Sequence, residues 1–265
     1  MDFTRYTYYN LLKSLEEKYT NFLTLSDYVK LENKNISVCI LRHDVDLNPQ
    51  NSLKIAEIEN SLNIRGSYYF RIIPNSYNLD IMKKIQSLNH EIGYHYEDVD
   101  LVLKKSKIKF RNKEKLIDKA YDNFCTNLKF FRKDFIIDSI CMHGSPLSKY
   151  DNRIIWEKYN YKELDIIAEP YFDINFSEFL YLTDTGRRWD GDSVSVRDKV
   201  ESNFNNSYST TNDIILDAKN LPNKIMLTIH PQRWHDNKLL WLKELIFQKI
   251  KNNIKRLFFV KKNHE

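Results

Sequence analysis

The feature that most constrains the fold is an alternation of short apolar runs and amphipathic segments along the 265 residues. The runs have the length and the β-branched or aromatic content of buried strands. They comprise residues 36–41, 67–73, 92–95, 139–142, 164–168, 180–183 and 225–229. Between several runs, apolar residues recur at helical spacing, as at Leu79, Met82, Ile85 and Leu88. This alternation predicts a largely parallel sheet, open or closed into a barrel.

The length of the chain allows one large domain or two small ones. Five Gly and six Pro are too few for a flexible linker, which favours one domain. We therefore predict a single-domain α/β fold, a distorted (β/α)7-type barrel, across residues 1–265. Residues 1–35 are predicted as a helical lead-in, 36–235 as the barrel core and 236–265 as a C-terminal helix.

The composition excludes several classes of protein. With 42% hydrophobic and 29% charged residues, the chain has a globular rather than a disordered composition. A net charge of +5 is too mild to indicate a nucleic-acid partner. Three cysteines without metal-type spacing argue against a disulfide framework. Because neither a signal peptide nor an apolar run of about 20 residues is seen, we expect a soluble, cytoplasmic protein.

Polar residues follow five of the predicted strands directly. The five clusters are RHDVD at 42–46, YHYE at 94–97, HGSP at 143–146, TDTGRRWD at 183–190 and HPQRW at 230–234. In parallel α/β sheets the C-terminal ends of the strands share one edge, and ligands bind there. The clusters are therefore expected to converge on one cleft.

The residue types in these clusters indicate metal-assisted chemistry. Asp46 and His95 offer oxygen and nitrogen ligands that suit a divalent metal such as zinc. His143 is the best candidate for a third ligand, followed by Glu97 and Asp98. Asp44 lies two residues before Asp46 and points to the same side of the strand, so it is predicted to act as the base. His230 is predicted to protonate the departing group.

Each of these residues also has a structural interpretation. The two aspartates could cap the following helix, His95 could be a hydrogen-bonded core histidine, and His143 could support a turn. Asp184 could form a structural ion pair with Arg187 or Arg188.

Four segments resemble a known family. They are ILRHDVD at 40–46, NIRGSYYF at 63–70, HEIGYH at 90–95 and LTIHP at 227–231. Their order is similar to that of the polysaccharide deacetylases, the NodB-homology enzymes of carbohydrate esterase family 4. The resemblance covers roughly residues 36–235, and its first half is the more specific part.

The resemblance implies a distorted (β/α) barrel and metal-dependent removal of acetyl groups from N-acetylated sugars. By position, Asp44 matches the catalytic base, Asp46 the metal-binding Asp and His95 the first metal-binding His. His230 matches the catalytic acid of the last motif.

The sequence also departs from the family pattern. Val99 occupies the position of the second metal-binding His, and Val45 separates aspartates that are adjacent in the family. His143 stands roughly where an Arg-x-Pro motif is expected. We therefore predict a divergent member in which Asp46, His95 and His143 hold the metal, unless the metal is weakly bound or absent.

Residues near the clusters are predicted to contact the substrate. The aromatic ones would stack on sugar rings, and the resemblance implies that an acid–arginine pair supports the site. The predicted substrate-contacting residues are Tyr94, Asp184, Arg188, Trp189 and Trp234.

The leading hypothesis is a hydrolase that removes an acetyl or similar acyl group from an N-acylated sugar in a cytosolic glycan or glycoconjugate precursor. One alternative is a glycosyltransferase that uses Asp44-x-Asp46 as a DxD motif, although no Gly-rich phosphate loop is visible. Another is a catalytically inactive carbohydrate-binding protein.

The basic tail, Lys249 to Lys262, carries apolar residues at helical spacing: Ile250, Ile254, Leu257 and Phe258. We predict that this stripe packs as part of a helix, and membrane attachment is the less favoured use.

Overall fold

A computed structural model of the chain describes residues 1–105, 112–145, 148–189, 200–204 and 206–255. Seven strands form one sheet in these residues, and every strand pairing is parallel. The strands are β1 (Phe22–Leu23), β2 (Val38–Val45), β3 (Ser67–Phe70), β4 (Glu91–Tyr96), β5 (Ile140–Met142), β6 (Leu180–Thr183) and β7 (Lys224–Ile229).

Helices surround the sheet. Several begin at a side chain that accepts a backbone N–H of the first turn, as Thr4 and Asn78 do. The helices are α1 (Arg5–Glu16), α2 (Leu25–Lys30), α3 (Pro49–Ser61), α4 (Leu79–Ser87), α5 (Asp98–Lys105), α6 (Lys113–Phe131), α7 (Pro170–Asp173), α8 (Thr211–Asp217) and α9 (Lys238–Lys255).

The sheet has the strand order β5-β4-β3-β2-β7-β6, and β1 pairs with the first half of β2. It curls into an incomplete barrel with β5 and β6 at its two ends. The predicted α/β fold is therefore confirmed. Since all the strands run in the same direction, their C-terminal ends meet at one edge, where the polar clusters follow.

Two details of the sequence-based prediction are wrong. Residues 164–168 do not form a strand, because only Ala168 makes an isolated bridge, to Ser139. The lead-in is not wholly helical, because β1 lies within it and pairs with Cys39 and Ile40. Two residues are too short to produce a recognisable strand pattern in the sequence.

Both faces of the sheet are covered, as all eight residues of β2 are buried. On one face, Leu41 and Val45 pack in the larger core with residues of the outer helices α1, α3, α4 and α6. On the other, Val38 and Ile40 pack in a smaller core that lies inside the curl with Met226. The alternation of side chains along β2 then places Arg42 and Asp44 on the inner side, toward the cleft.

The C-terminal helix α9 differs from its prediction. Ile250, which is predicted to pack, is 53% exposed. The side chain of Ile254 and the residues Leu257 and Phe258 lie outside what the structure describes. Among the helices of the described residues, none is both long and apolar enough to cross a bilayer.

Candidate active site

The C-terminal edge of the sheet brings the predicted polar residues together. Asp44 lies at the end of β2 and His95 at the end of β4, while His143 and His230 directly follow β5 and β7. Asp46 is the first residue after β2. The predicted convergence of separate clusters on one cleft is thus what the structure shows.

Three of these side chains lie close enough to share one metal ion. One ligand atom each from Asp46, His95 and His143 lies within 4.8 Å of the other two. Oδ1 of Asp46 is 3.6 Å from Nε2 of His95 and 3.4 Å from Nε2 of His143. The predicted ligand set therefore exists as a geometric group, and its use by a metal stays a prediction.

The three residues fit a divalent cation chemically. Oδ1 of Asp46 is buried and accepts no hydrogen bond from the described residues, which an ionised oxygen rarely tolerates without a cation. Nδ1 of His95 lies 2.9 Å from the Cys141 carbonyl oxygen, so Nδ1 carries the proton and Nε2 keeps its lone pair. Burial lowers the pKa of His95 to about 4, so the ring is neutral at neutral pH, as a ligand must be.

A second group, Asp44 with His95 and Cys141, is equally compact but less suitable. Both oxygens of Asp44 already accept hydrogen bonds from Arg42, at 2.9 Å from Nε and 2.6 Å from Nη2. The group around Asp46 is therefore the better metal site.

Glu97 orients the third predicted ligand. Its Oε2 lies 3.4 Å from Nδ1 of His143, and Arg71 binds both of its oxygens. Burial would raise the pKa of Glu97, but the hydrogen bonds from His143 and Arg71 hold it at about 2. An ionised carboxylate behind a ligating histidine fixes the orientation of the ring and makes its Nε2 more basic, and so a stronger metal ligand.

Asp44 and Arg42 form a buried ion pair beside this group, with side chains 3% and 1% exposed. Burial would raise the pKa of Asp44, but the Arg42 guanidinium and the His95 ring hold it well below its usual range. Asp44 is thus ionised at neutral pH, and its Oδ2 is 3.8 Å from Nε2 of His95. Its position suits a base at the metal group.

His230 is held next to the group by Asp184. Nδ1 of His230 is 2.6 Å from Oδ1 of Asp184, and its backbone N–H donates to Oδ2. Nη1 of Arg233 also lies 2.9 Å from Nδ1, but the carboxylate oxygen of Asp184 is closer, so we assign the proton to Nδ1. Nε2 then lies 4.0 Å from Oδ2 of Asp46. Burial would raise the pKa of Asp184, but Arg233 and His230 keep it low.

The burial of several residues corrects the prediction that they contact a substrate. Trp189 and Trp234 are 2% and 0% exposed, and their indole N–H groups donate to Thr211 and Asp184. Tyr94 is fully buried and donates to Asp98. Asp184 is also fully buried and contacts His230 rather than the cleft. Arg188 is partly buried in the loop after β6. An aromatic residue next to a strand end can pack in the core as readily as it can line a cleft, and the sequence pattern is the same in both cases.

Val99 shows how the site departs from the family pattern. It is fully buried in the larger hydrophobic core, in the first turn of α5. His143 enters the group instead from the end of β5, the neighbour of β4. The second nitrogen of the group, which is its third candidate ligand, thus comes from a different strand.

Sequence reasoning assigned no role to Arg42, Arg71, Gln232 or Arg233. Arg42 could have been found, because residues i and i+2 of a strand share a face and Asp44 was already a candidate. Gln232 donates to Oδ2 of Asp46 at 3.3 Å, and Arg233 donates to Asp184. No spacing rule connects these residues with partners 186 and 49 positions away.

Comparison with known proteins gives likeness in structure only. No family model matches the chain, and no curated protein matches it. The structure is similar to solved carbohydrate esterases of family 4, the family that the sequence motifs resemble.

Three solved structures illustrate this likeness. A Streptococcus mutans CE4 esterase is 12% identical, with 91% of this chain and 90% of that chain covered and a TM-score of 0.44. Bacillus subtilis PdaA, a family 4 carbohydrate esterase, is 14% identical, with 91% and 83% covered and a TM-score of 0.43. A mutant of BA3943, a CE4 family pseudoenzyme from Bacillus anthracis, is 12% identical, with a TM-score of 0.43. The match covers 84% of this chain but only 64% of the pseudoenzyme, less than two thirds of its length.

Proposed function

We propose that this protein is a metal-dependent hydrolase that removes an acetyl or similar acyl group from the nitrogen of an N-acylated sugar. The substrate class comes from the sequence motifs, and a cytosolic glycan or glycoconjugate precursor is the proposed form. The observation that carries the proposal is the group of Asp46, His95 and His143, with an ionised Asp44 within 3.8 Å of His95 and His230 within 4.0 Å of Asp46.

Asp46, His95 and His143 would hold a divalent ion, for which zinc is the first candidate because two imidazoles and one carboxylate leave a coordination position open. When bound, such an ion lowers the pKa of water and polarises a carbonyl oxygen.

The side chains around the ion would move the protons. Asp44 accepts the proton of the water that attacks the acyl carbon. Arg42 keeps the Asp44 carboxylate ionised before this transfer and holds its orientation while the proton moves. His230, when protonated, donates from Nε2 to the sugar nitrogen as its bond to the acyl carbon breaks. Asp184 stabilises the imidazolium form of His230 through Nδ1, as a buried carboxylate does in other acid–base pairs. The products are the carboxylic acid and the free amino sugar.

The geometry favours this reaction over a DxD-type glycosyl transfer. In a DxD motif both aspartates serve a metal and a nucleotide. The Arg42 guanidinium neutralises the charge of Asp44 and engages both of its oxygens, so Asp44 is a poorer cation ligand than Asp46, while a remaining lone pair can still accept a proton.

The test measures metal content and acetate release on the same preparations. Wild-type protein loaded with zinc should release acetate from at least one member of a panel of N-acetyl sugars and their nucleotide- or lipid-linked forms. Asp46→Ala and His143→Ala should bind zinc more than about 100-fold more weakly, since loss of an outer partner alone costs about 10–100-fold. His235→Gln is the matched control, because His235 lies outside the group.

Asp44→Asn and His230→Ala separate catalysis from metal binding. Each should keep its zinc and lose about 10²–10⁴ in turnover, the usual value of a positioned acid or base. Zinc bound by the wild type without acetate release from any substrate would indicate the inactive carbohydrate-binding alternative. Full zinc occupancy in Asp46→Ala would refute the proposed site.

A further inference from the structure

The C-terminal helix α9 packs with its polar side inward. Trp241 donates its indole N–H to the Asp2 carbonyl oxygen at 2.6 Å, and Asn252 donates to the Gly186 carbonyl oxygen at 3.0 Å. Gln248 is buried and donates to Glu244. These contacts attach α9 to the N-terminus and to the loop that begins at Asp184, beside the candidate site.

The opposite side of α9 is apolar and exposed. Its six large apolar side chains are between 48% and 78% exposed, although helices on a protein usually bury such residues. They are Leu239, Leu240, Leu242, Ile246, Phe247 and Ile250. We call this set the α9 apolar face.

Within the described part of α9, the exposed charged residues on its outer side are lysines. Lys238, Lys243 and Lys249 are exposed along it. Glu244 is the one acidic residue of the helix sequence, and it lies on the inner side with Gln248. An apolar strip bordered by lysines is the pattern of a helix that lies in the interface of a lipid bilayer.

We propose that the α9 apolar face docks this protein onto a membrane surface that contains anionic lipid. The apolar side chains would enter the boundary of the acyl chains, and the three lysines would contact the phosphate headgroups. The polar inner side of α9 would stay bound to the loop after β6, so that docking keeps the candidate site close to the bilayer.

The lysines also disfavour a second copy of the chain as the occupant. In a two-fold dimer the same face meets itself, so the lysines of one copy would find no exposed acidic residue of α9 on the other. The helix offers no exposed acid to pair with them, and an anionic lipid surface supplies the missing charge.

The test is co-sedimentation of the full chain with vesicles of phosphatidylcholine alone or with added phosphatidylserine, at low and at physiological salt. We expect binding only to the anionic vesicles, weaker at the higher salt because the charges are exposed. Lys243→Gln combined with Lys249→Gln should lower the partition coefficient about 30-fold, at about fivefold for each basic residue near the surface. Ile246→Asn combined with Phe247→Asn should lower it at least as much.

Ile136→Asn is the matched control, because Ile136 is 78% exposed but lies away from α9, just after α6. It should bind like the wild type. Equal binding by all variants, or no binding to anionic vesicles, would overturn the proposal. A concentration-dependent dimer that Ile246→Asn and Phe247→Asn abolish would overturn it in favour of a second copy. The assay needs no catalysis, so it is independent of whether acetate is released.

Discussion

The buried pair of Arg42 and Asp44 gives the sharpest test of the site. Replacing Arg42 by Met keeps much of the side-chain volume but leaves the Asp44 carboxylate buried without its guanidinium. With side chains 1% and 3% exposed, water cannot replace the lost partner, and breaking such a pair costs about 3–5 kcal/mol. We therefore expect the free energy of unfolding of Arg42→Met to fall by about that amount at neutral pH.

Arg153 provides a closely matched control. Its guanidinium lies 4.8 Å from the centre of the Tyr171 ring, and that of Arg42 lies 5.2 Å from the same ring. Arg153 also pairs with an aspartate two residues away, Asp151, but their side chains are 30% and 16% exposed. Arg153→Met should therefore cost only about 1 kcal/mol or less.

A double variant separates the unpaired charge from lost packing. Asp44→Asn in the Arg42→Met background removes the stranded carboxylate, so the double variant should be more stable than Arg42→Met alone. Urea unfolding followed by circular dichroism measures all the variants. Equal destabilisation by Arg42→Met and Arg153→Met, or a double variant no more stable than Arg42→Met, would refute the reasoning.

The low pKa of Asp44 adds a pH dependence to this test. In the wild type, the stability that comes from ionised Asp44 is fully present above the pKa of an unfolded aspartate, about 3.9, and is lost as the pH falls further. The difference between the wild type and Arg42→Met should therefore shrink in acid.

Three further outcomes are expected. Asp184→Asn should retain zinc but lower acetate release about 10²–10⁴-fold, because His230 loses the anion that supports its protonated form; an unchanged rate would exclude this role. Val99→His should not restore zinc to His143→Ala, because position 99 lies in the apolar core, and elemental analysis would reveal any recovery. Burial lowers the pKa of His90, so the stability from its neutral ring is present above about pH 6.5 and is lost as the pH falls below it. Between pH 7 and 5 the unfolding free energy should therefore fall more steeply in the wild type than in His90→Gln. Urea unfolding in which both proteins lose the same free energy over this range would contradict this.

The sequence by itself determined the parallel sheet and the edge that carries the site. Strand-length apolar runs followed by polar clusters were enough, because parallel strands necessarily end on the same side. This is why Asp46, His95 and His143 could be grouped before their distances were known. The same local patterns could not reveal β1, since a two-residue strand has no periodicity and forms only when β2 is there to pair with it.

Only the tertiary structure decided which partners the site residues have. Asp184 and His230 lie 46 residues apart, and their contact depends on the pairing of β6 with β7. Burial likewise shows that Trp234 packs in the core, where it donates to Asp184, and does not contact a substrate. In α9 the sequence shows an apolar and a polar side but not which of them faces the protein. That choice depends on hydrogen bonds to Asp2 and Gly186, residues far away along the chain, because packing is set by the surfaces that the fold brings together.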